Sequence, residues 1–184
     1  MSPFDAAHFN EKMMKGVFAK IYPVIAEDLL DRCGIRSGLC LDLGGGPGML
    51  AVRLAEISDL QVIVVDPVAE CIELAEENAA EHGQCGQVTA QLGHAEKLDF
   101  ADNSVDLVVS RGSVYFWDDQ AAGLREIYRV LRPGDGRSLA VASVTPNCAM
   151  RFWPLWPTTR SGNPDARNAP RSSHRPISRI CWPR

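Results

Sequence analysis

The ten residues Leu39-Cys40-Leu41-Asp42-Leu43-Gly44-Gly45-Gly46-Pro47-Gly48 narrow the folds open to this chain more than any other stretch. An apolar strand over 39–43 runs into a glycine cluster, with an acid just before it, and then into a helix-like run over 49–57. Glycine reaches backbone angles closed to other residues and carries no side chain to hold a ligand away. The helix that follows points unpaired N–H groups and the positive end of its dipole at whatever lies against the loop. Strand, glycine turn and helix in that order predict a site for a nucleotide-type cofactor.

The flanking sequence predicts the sheet that such a turn belongs to. Residues 8–33 show helical spacing, with Phe9, Met13, Val17, Ile21 and Ile25 on one face, and Pro23 is expected to break or kink the stretch into two helices. Residues 61–65 read as a fully buried, β-branched strand of the kind a parallel sheet requires. A helix over 67–82 ends at Gly83, and strands follow at 88–92 and 105–110. A helix over 120–131 stops at Pro133-Gly134, and 138–144 reads as a fifth strand. This alternation predicts a doubly wound, Rossmann-like parallel α/β sheet with helices on both faces. Ligands of such sheets bind beyond the carboxyl ends of the strands, where the strand order reverses.

Spacing separates the cofactors. The dinucleotide pattern G-x-G-x-x-G, started at Gly44, needs glycine at Met49; started at Gly45, it needs one at Pro47. The pattern present is D-x-G-x-G-x-G, over Asp42, Gly44, Gly46 and Gly48. It resembles the first motif of the class I S-adenosylmethionine-dependent methyltransferases. The resemblance implies that Asp42 faces the methionine end of the cofactor and that Gly44, Gly45, Gly46 and Gly48 let the backbone approach it. Asp66, followed by Pro67, ends the second strand, where a carboxylate can accept hydrogen bonds from vicinal ribose hydroxyls. The same side chain also reads as an N-cap for a helix starting at Pro67, and both roles can hold together.

Three later segments continue the resemblance. Residues 93–100, Gly-His-Ala-Glu-Lys-Leu-Asp-Phe, are similar to the family's G-D-A-E-x-L-P-F, which implies that His94, Ala95 and Glu96 lie by the adenine, with His94 replacing the acid. Residues 102–110 resemble the family's D-x-S-F-D-x-V strand entry, bringing Ser110 and Arg111 to the cofactor. Residues 124–134 are similar to E-x-x-R-V-L-K-P-G-G, a helix and turn with a structural role. Arg111, Ser113 and Tyr115 in the loop after the fourth strand, and Tyr22 in the N-terminal helices, are candidates for substrate contact. The aromatics of 112–117 read equally well as core. The resemblance spans about residues 35–136.

Charge splits the chain. Residues 1–150 carry 12 Lys+Arg against 22 Asp+Glu, which argues against a nucleic-acid substrate in a basic groove. Residues 151–184 carry seven Arg and one acid, Asp165, with six Pro. The expected organisation is an N-terminal helical cap (1–34), the cofactor-binding domain (35–145) and an irregular Arg/Pro-rich tail (146–184). The tail reads as a basic arm or, preferably, as translation in a shifted frame, leaving the family's C-terminal strands missing. No apolar run is long enough to span a membrane and no signal peptide is indicated. The six scattered cysteines suit buried small hydrophobes in a reducing cytoplasm rather than a metal site.

The expected function is methyl transfer from S-adenosylmethionine to a small-molecule acceptor, with no metal, no nucleic-acid partner and no nameable catalytic residue. One alternative is a truncated or non-catalytic remnant that keeps the cofactor fold. A NAD-dependent oxidoreductase is the other, disfavoured by the glycine spacing. Oligomeric state is left open.

Overall fold

Alternation along three central strands separates two layers of core. The computed structural model describes residues 4–133 and, as backbone, two further strands, Ser138–Ala142 and Arg151–Trp153. Strands β1 (Ser37–Leu43), β2 (Asp59–Asp66) and β4 (Leu107–Arg111) lie side by side and parallel. Cys40, Val62, Val64, Leu107 and Val109 face one layer, packed on α2 (Tyr22–Cys33), α3 (Met49–Glu56) and α4 (Ala69–Glu81). Leu41, Leu43, Val65 and Val108 face the other layer, with Ile127 and Val130 of α5 (Gln120–Val130). Successive side chains point to opposite faces, so strands covered on both sides need apolar residues at nearly every position. The uninterrupted runs in the sequence have this cause.

With β3 (Val88–Leu92), β5 (Ser138–Ala142) and β6 (Arg151–Trp153), the sheet order is β3-β2-β1-β4-β5-β6. The first five strands are parallel and β6 runs antiparallel to β5. The chain leaves β1 toward β2 on one side and later returns to β4 on the other, so the order reverses between β1 and β4. The doubly wound parallel sheet is therefore present. Apart from Arg151–Trp153, which pairs with β5, the expected tail over 146–184 lies outside the described residues, and so does the shifted-frame reading of it.

Two local expectations change. Pro23 does not break a helix; it sits in the first turn of α2, where its missing N–H has no intrahelical partner to lose. The break falls at 18–21, and ahead of it α1 (Ala6–Phe9) runs into a π-helical segment, Asn10–Val17. The Phe18 N–H donates to the Met13 carbonyl at 2.7 Å, an i→i+5 bond. Those wider turns shift the phase of the buried face. Asn10 and Met14 are buried, while Val17, expected inside, is 66% exposed.

The second change concerns Asp66. The following helix starts at Ala69, with Val68 at the cap position and no side-chain cap. Asp66 instead accepts the Val68 N–H at 3.0 Å, holding the turn between strand and helix.

Candidate cofactor site

A cavity of about 560 Å³ opens beyond the carboxyl ends of the parallel strands. Gly44 after β1, Asp66 at the end of β2, Gly93 after β3 and Arg111 at the end of β4 all line it. The topology alone brings them together, since 67 residues of chain separate Gly44 from Arg111.

The glycine loop is fixed from three sides. Ser113 Oγ donates to the Leu43 carbonyl at 2.7 Å, and Ser110 Oγ lies 2.6 Å from it. Trp117 Nε1 donates to Ser113 Oγ at 3.3 Å. With its single proton given to Leu43, the Ser113 hydroxyl accepts from the other two. Asn78 on α4 donates to the Pro47 carbonyl at 2.7 Å and to Asn10 Oδ1 at 3.1 Å, tying loop, helix and N-terminal segment together. Gly48 packs on Ala75, where an added Cβ would stand 2.9 Å from the Ala75 methyl. Gly46 is different: its φ is +55°, and an added Cβ would have only Met14 Cε nearby, at 3.8 Å. Gly44, Gly46 and Gly48 all have the positive φ that favours glycine, and Gly46 is the one of the three that leaves space over the cavity.

Asp66 holds the loop from the neighbouring strand. Its Oδ2 accepts the Gly46 N–H at 2.9 Å, and the residue is only 7% exposed while lining the cavity. Burial raises its pKa, opposed by the Val68 and Gly46 amides and by His94. The carboxylate keeps lone pairs free beyond the two amide bonds.

Asp42 sits elsewhere than its motif role implies. It shares the β1 face with Cys40, lies beneath Gly45, and is not on the cavity wall. It is fully buried, and neither carboxylate oxygen has a hydrogen-bond partner among the described residues. Burial, then the nearby Asp66 charge, push its pKa up to about 7, against weaker opposing pulls from the Ala51 amide and Arg111. Alternation explains the placement: Leu41 and Leu43 fill the other layer, so Asp42 points toward the N-terminus of α3.

Pro67, His94, Ala95, Glu96 and Ser113 join Gly44, Gly46, Asp66 and Arg111 on the wall; Gly45, Gly48, Ser110, Tyr22 and Tyr115 do not. Ser113 reaches the cavity with its hydroxyl already committed to Leu43, Ser110 and Trp117. Tyr115 is 75% exposed and away from the cavity. Tyr22 is buried behind Arg111: its OH accepts from Arg111 Nη1 at 2.8 Å and donates to Met14 Sδ at 2.7 Å. Burial pushes the Tyr22 phenol up to about 12.

The loop carrying His94, Ala95 and Glu96 is strapped to α5. Arg129 donates to the Leu98 carbonyl at 2.8 Å and the Phe100 carbonyl at 2.7 Å, while Glu126 accepts the Leu98 N–H at 2.9 Å. The structural role expected of 124–134 is this strap. Phe4, Met14, Val68 and Cys71 also line the cavity, and none of them belongs to a motif. The phase shift of the π-helical segment hid Met14, and the turn at α4 hid Cys71. Among the described residues no group of three or more His, Cys, Asp or Glu could hold a metal ion, and no helix is long and apolar enough to cross a membrane.

Fold and site together define a nucleoside-cofactor protein of the methyltransferase type. A family model described as a methyltransferase domain matches residues 40–134, more than half of the chain. The chain belongs to the class I S-adenosylmethionine-dependent methyltransferases. An uncharacterised methyltransferase of Mycobacterium tuberculosis is 39% identical over 113 residues, covering 61% of this chain and 42% of its own. The ubiquinone/menaquinone biosynthesis C-methyltransferase UbiE of Geotalea daltonii is 31% identical over 112 residues, covering 60% and 47%. A crystal structure from Methanococcus maripaludis, assigned to the S-adenosyl-L-methionine-dependent methyltransferases, superposes with a TM-score of 0.72 at 37% identity, covering 78% of this chain and 67% of that one. The chain spans about half or less of the length of the curated relatives it matches.

Proposed function

We propose that this chain transfers the methyl group of S-adenosylmethionine to a small-molecule acceptor. The observation that carries the reading is Asp66: a buried carboxylate on the cavity wall, held by the Gly46 and Val68 amides, with acceptor capacity left for two ribose hydroxyls. Each hydrogen bond to a charged acceptor contributes ~1.5–3 kcal/mol. The residues fit the cofactor, since Gly46 leaves open space where any other residue would place a side chain.

When bound, the cofactor supplies a methyl group already activated on a sulfonium. The chain's part is binding, orientation and exclusion of water, which can supply much of the rate. Asp66 would hold the ribose, and the loop carrying His94 and Ala95 would hold the adenine. Gly44 and Gly46 let the main chain approach the amino-acid end. Asp42 lies beneath the loop, where a bound ammonium group would favour its ionised form over the protonated form that burial favours. Phe9, Met14 and Trp117 make the apolar wall. Phe4 and Phe116, 58% and 86% exposed, stand at the cavity and suit an acceptor with an apolar body. The name of the Geotalea relative, a quinone-pathway C-methyltransferase, supports an acceptor of that size. The free thiols of Cys33, Cys40, Cys71 and Cys85 suit a cytoplasmic setting.

Titration calorimetry with S-adenosylhomocysteine tests the reading. Wild type binds, and Asp66→Ala and Gly46→Val abolish binding while circular dichroism stays native. A folded wild type that takes no S-adenosylhomocysteine overturns the proposal. A methyl-transfer assay across small phenols, quinols, amines and thiols then identifies the acceptor.

A further inference from the structure

Three aromatic residues in a row follow β4, and each has a different setting. Tyr115 is 75% exposed and stands off the cavity. Trp117 lines the cavity with its ring fixed. Its Nε1 donates to Ser113 Oγ at 3.3 Å, and the ring packs on Gly123 of α5, where an added Cβ would stand 2.7 Å from Trp117 Cε3. A glycine inside a helix costs stability, and here the missing side chain is the space the indole occupies. Phe116 lines the same cavity but is 86% exposed. Its backbone is pinned: the Phe116 N–H donates to the Ser113 carbonyl at 2.8 Å, and Gln120 Nε2 donates to the Val114 carbonyl at 3.1 Å.

A second exposed ring reaches the cavity from the N-terminal segment. Phe4, 58% exposed, packs on Phe9 with ring centroids 5.5 Å apart and planes inclined at 57°. Beside it, Asp5 caps α1 by accepting the His8 N–H at 2.9 Å, and Asn10 accepts from Asn78 at 3.1 Å. Two phenyl rings on anchored backbones thus open onto one cavity with much of their surface in water. Apolar surface in water favours any apolar group that covers it. An aromatic ring is more selective, because its charge distribution favours a second ring, offset or edge-on, beyond what burial alone supplies.

We propose that Phe4 and Phe116 form the acceptor's subsite and select a flat aromatic ring. The inference rests on the cofactor reading above and adds to it the chemical class of the acceptor. That reading assigns Gly44, Gly46, Asp66 and the loop of His94 and Ala95 to the cofactor, which leaves the two exposed rings of the same cavity to the acceptor. Trp117 is locked by Ser113 and Gly123 and keeps one shape for every ligand. Phe116, next in the chain, is free to turn its face to the ring that enters.

Calorimetry on the full chain, saturated with S-adenosylhomocysteine, compares 2-naphthol with trans-decahydro-2-naphthol. The two share a carbon skeleton and a hydroxyl, but only the first has a ring face. Wild type is expected to prefer the naphthol by ~10-fold. Phe116→Leu, which keeps the apolar bulk, lowers the preference to about threefold, and the double variant Phe4→Leu/Phe116→Leu to about twofold or less. Phe116→Tyr, which keeps the ring, retains the wild-type preference. Affinity for S-adenosylhomocysteine in Phe116→Leu stays within about twofold of wild type, because this ring is the acceptor's and not the cofactor's. The inference is overturned if wild type shows no preference, if the double variant keeps it, or if the Leu and Tyr variants behave alike. Loss of S-adenosylhomocysteine affinity in step with naphthol affinity also overturns it, because that marks a cofactor wall. A wild type that takes no S-adenosylhomocysteine overturns the cofactor reading itself; one that takes it and shows no preference overturns this inference alone. With Phe116 so exposed, its variants are expected to fold, and circular dichroism checks that they do.

Discussion

The Asp66 carboxylate accepts the Gly46 N–H at 2.9 Å, so the residue that ends β2 fixes the backbone of the loop that follows β1. On the proposed function, one side chain thereby couples ribose recognition to the shape of the glycine loop. Asp66→Asn keeps the side chain's size but carries no charge, and its NH2 can meet the Gly46 amide only as a second donor. Its affinity for S-adenosylhomocysteine is expected to fall ~10- to 100-fold, equivalent to one or two charge-assisted bonds. Calorimetry reads the change, with unchanged affinity as the contrary result.

Two glycines with the same backbone sign separate strain from collision. Gly44 has φ +63°, and an added Cβ there meets Ser113, with Oγ only 2.6 Å away. Gly112 has φ +74°, with nothing within 4 Å. Gly112→Ala is expected to cost about 1 kcal/mol of stability, the ordinary penalty for a left-handed alanine. Gly44→Ala adds the displacement of Ser113 and of its bonds to Leu43 and Ser110, and is expected to cost at least ~3 kcal/mol. Urea unfolding of the two variants gives the difference directly.

Asp42 makes stability depend on pH. Its pKa in the folded protein is about 7, against an ordinary value of 3.8. Below the ordinary value both folded and unfolded states hold the proton. Between the two values only the folded state holds it, so this residue's contribution to stability falls as pH rises through that window and is lost above about 7. Asp42→Asn removes the effect. Near pH 4 the variant and wild type should melt within a degree or two of each other, apart from the cost of the new amide. Toward pH 8 the variant should gain on wild type by roughly 2–4 kcal/mol. A melting-temperature difference that stays flat with pH would rule out a buried, protonated Asp42.

The Arg129 strap gives a local prediction. Arg129→Met removes the bonds to the Leu98 and Phe100 carbonyls and the ion pairs to Glu126 and Asp102. Global stability should drop by about 1–3 kcal/mol, since the guanidinium is partly exposed and solvent replaces part of what is lost. Amide hydrogen exchange at Leu98 should quicken more than at Val109 in the sheet centre. Because the strapped loop carries Ala95, affinity for S-adenosylhomocysteine should weaken in the same variant.

Much of the fold was legible because its signals are local. The buried runs of β1, β2 and β4, the glycines after β1 and the turn before β4 each follow from a few neighbouring residues. Asn103 shows this well: with φ +56° it is the one non-glycine among the described residues in the left-handed region, at the Asp102-Asn103-Ser104 turn that composition marks. The N-terminal segment was legible only in part. A helical period of 3.6 puts Val17 inside, whereas the i→i+5 turns of Asn10–Val17 put Met14 inside instead. No local residue signal distinguishes those two periods.

The candidate site divides in the same way. The sequence alone determined the strand–glycine–helix unit, the acid that ends the second strand and the family these imply, because each depends on spacing within one segment. Tertiary structure alone decided which side chains line the cavity. It turned Asp42 under the loop while Asp66 faced the cavity, and it committed the Ser113 hydroxyl to Leu43. It also stacked Phe18 and Tyr22 against Arg111, 93 and 89 residues away in the chain. The physical reason is that hydrogen bonds and buried charges are satisfied across segments. Which donor is left without a partner is therefore known only once every segment is in place.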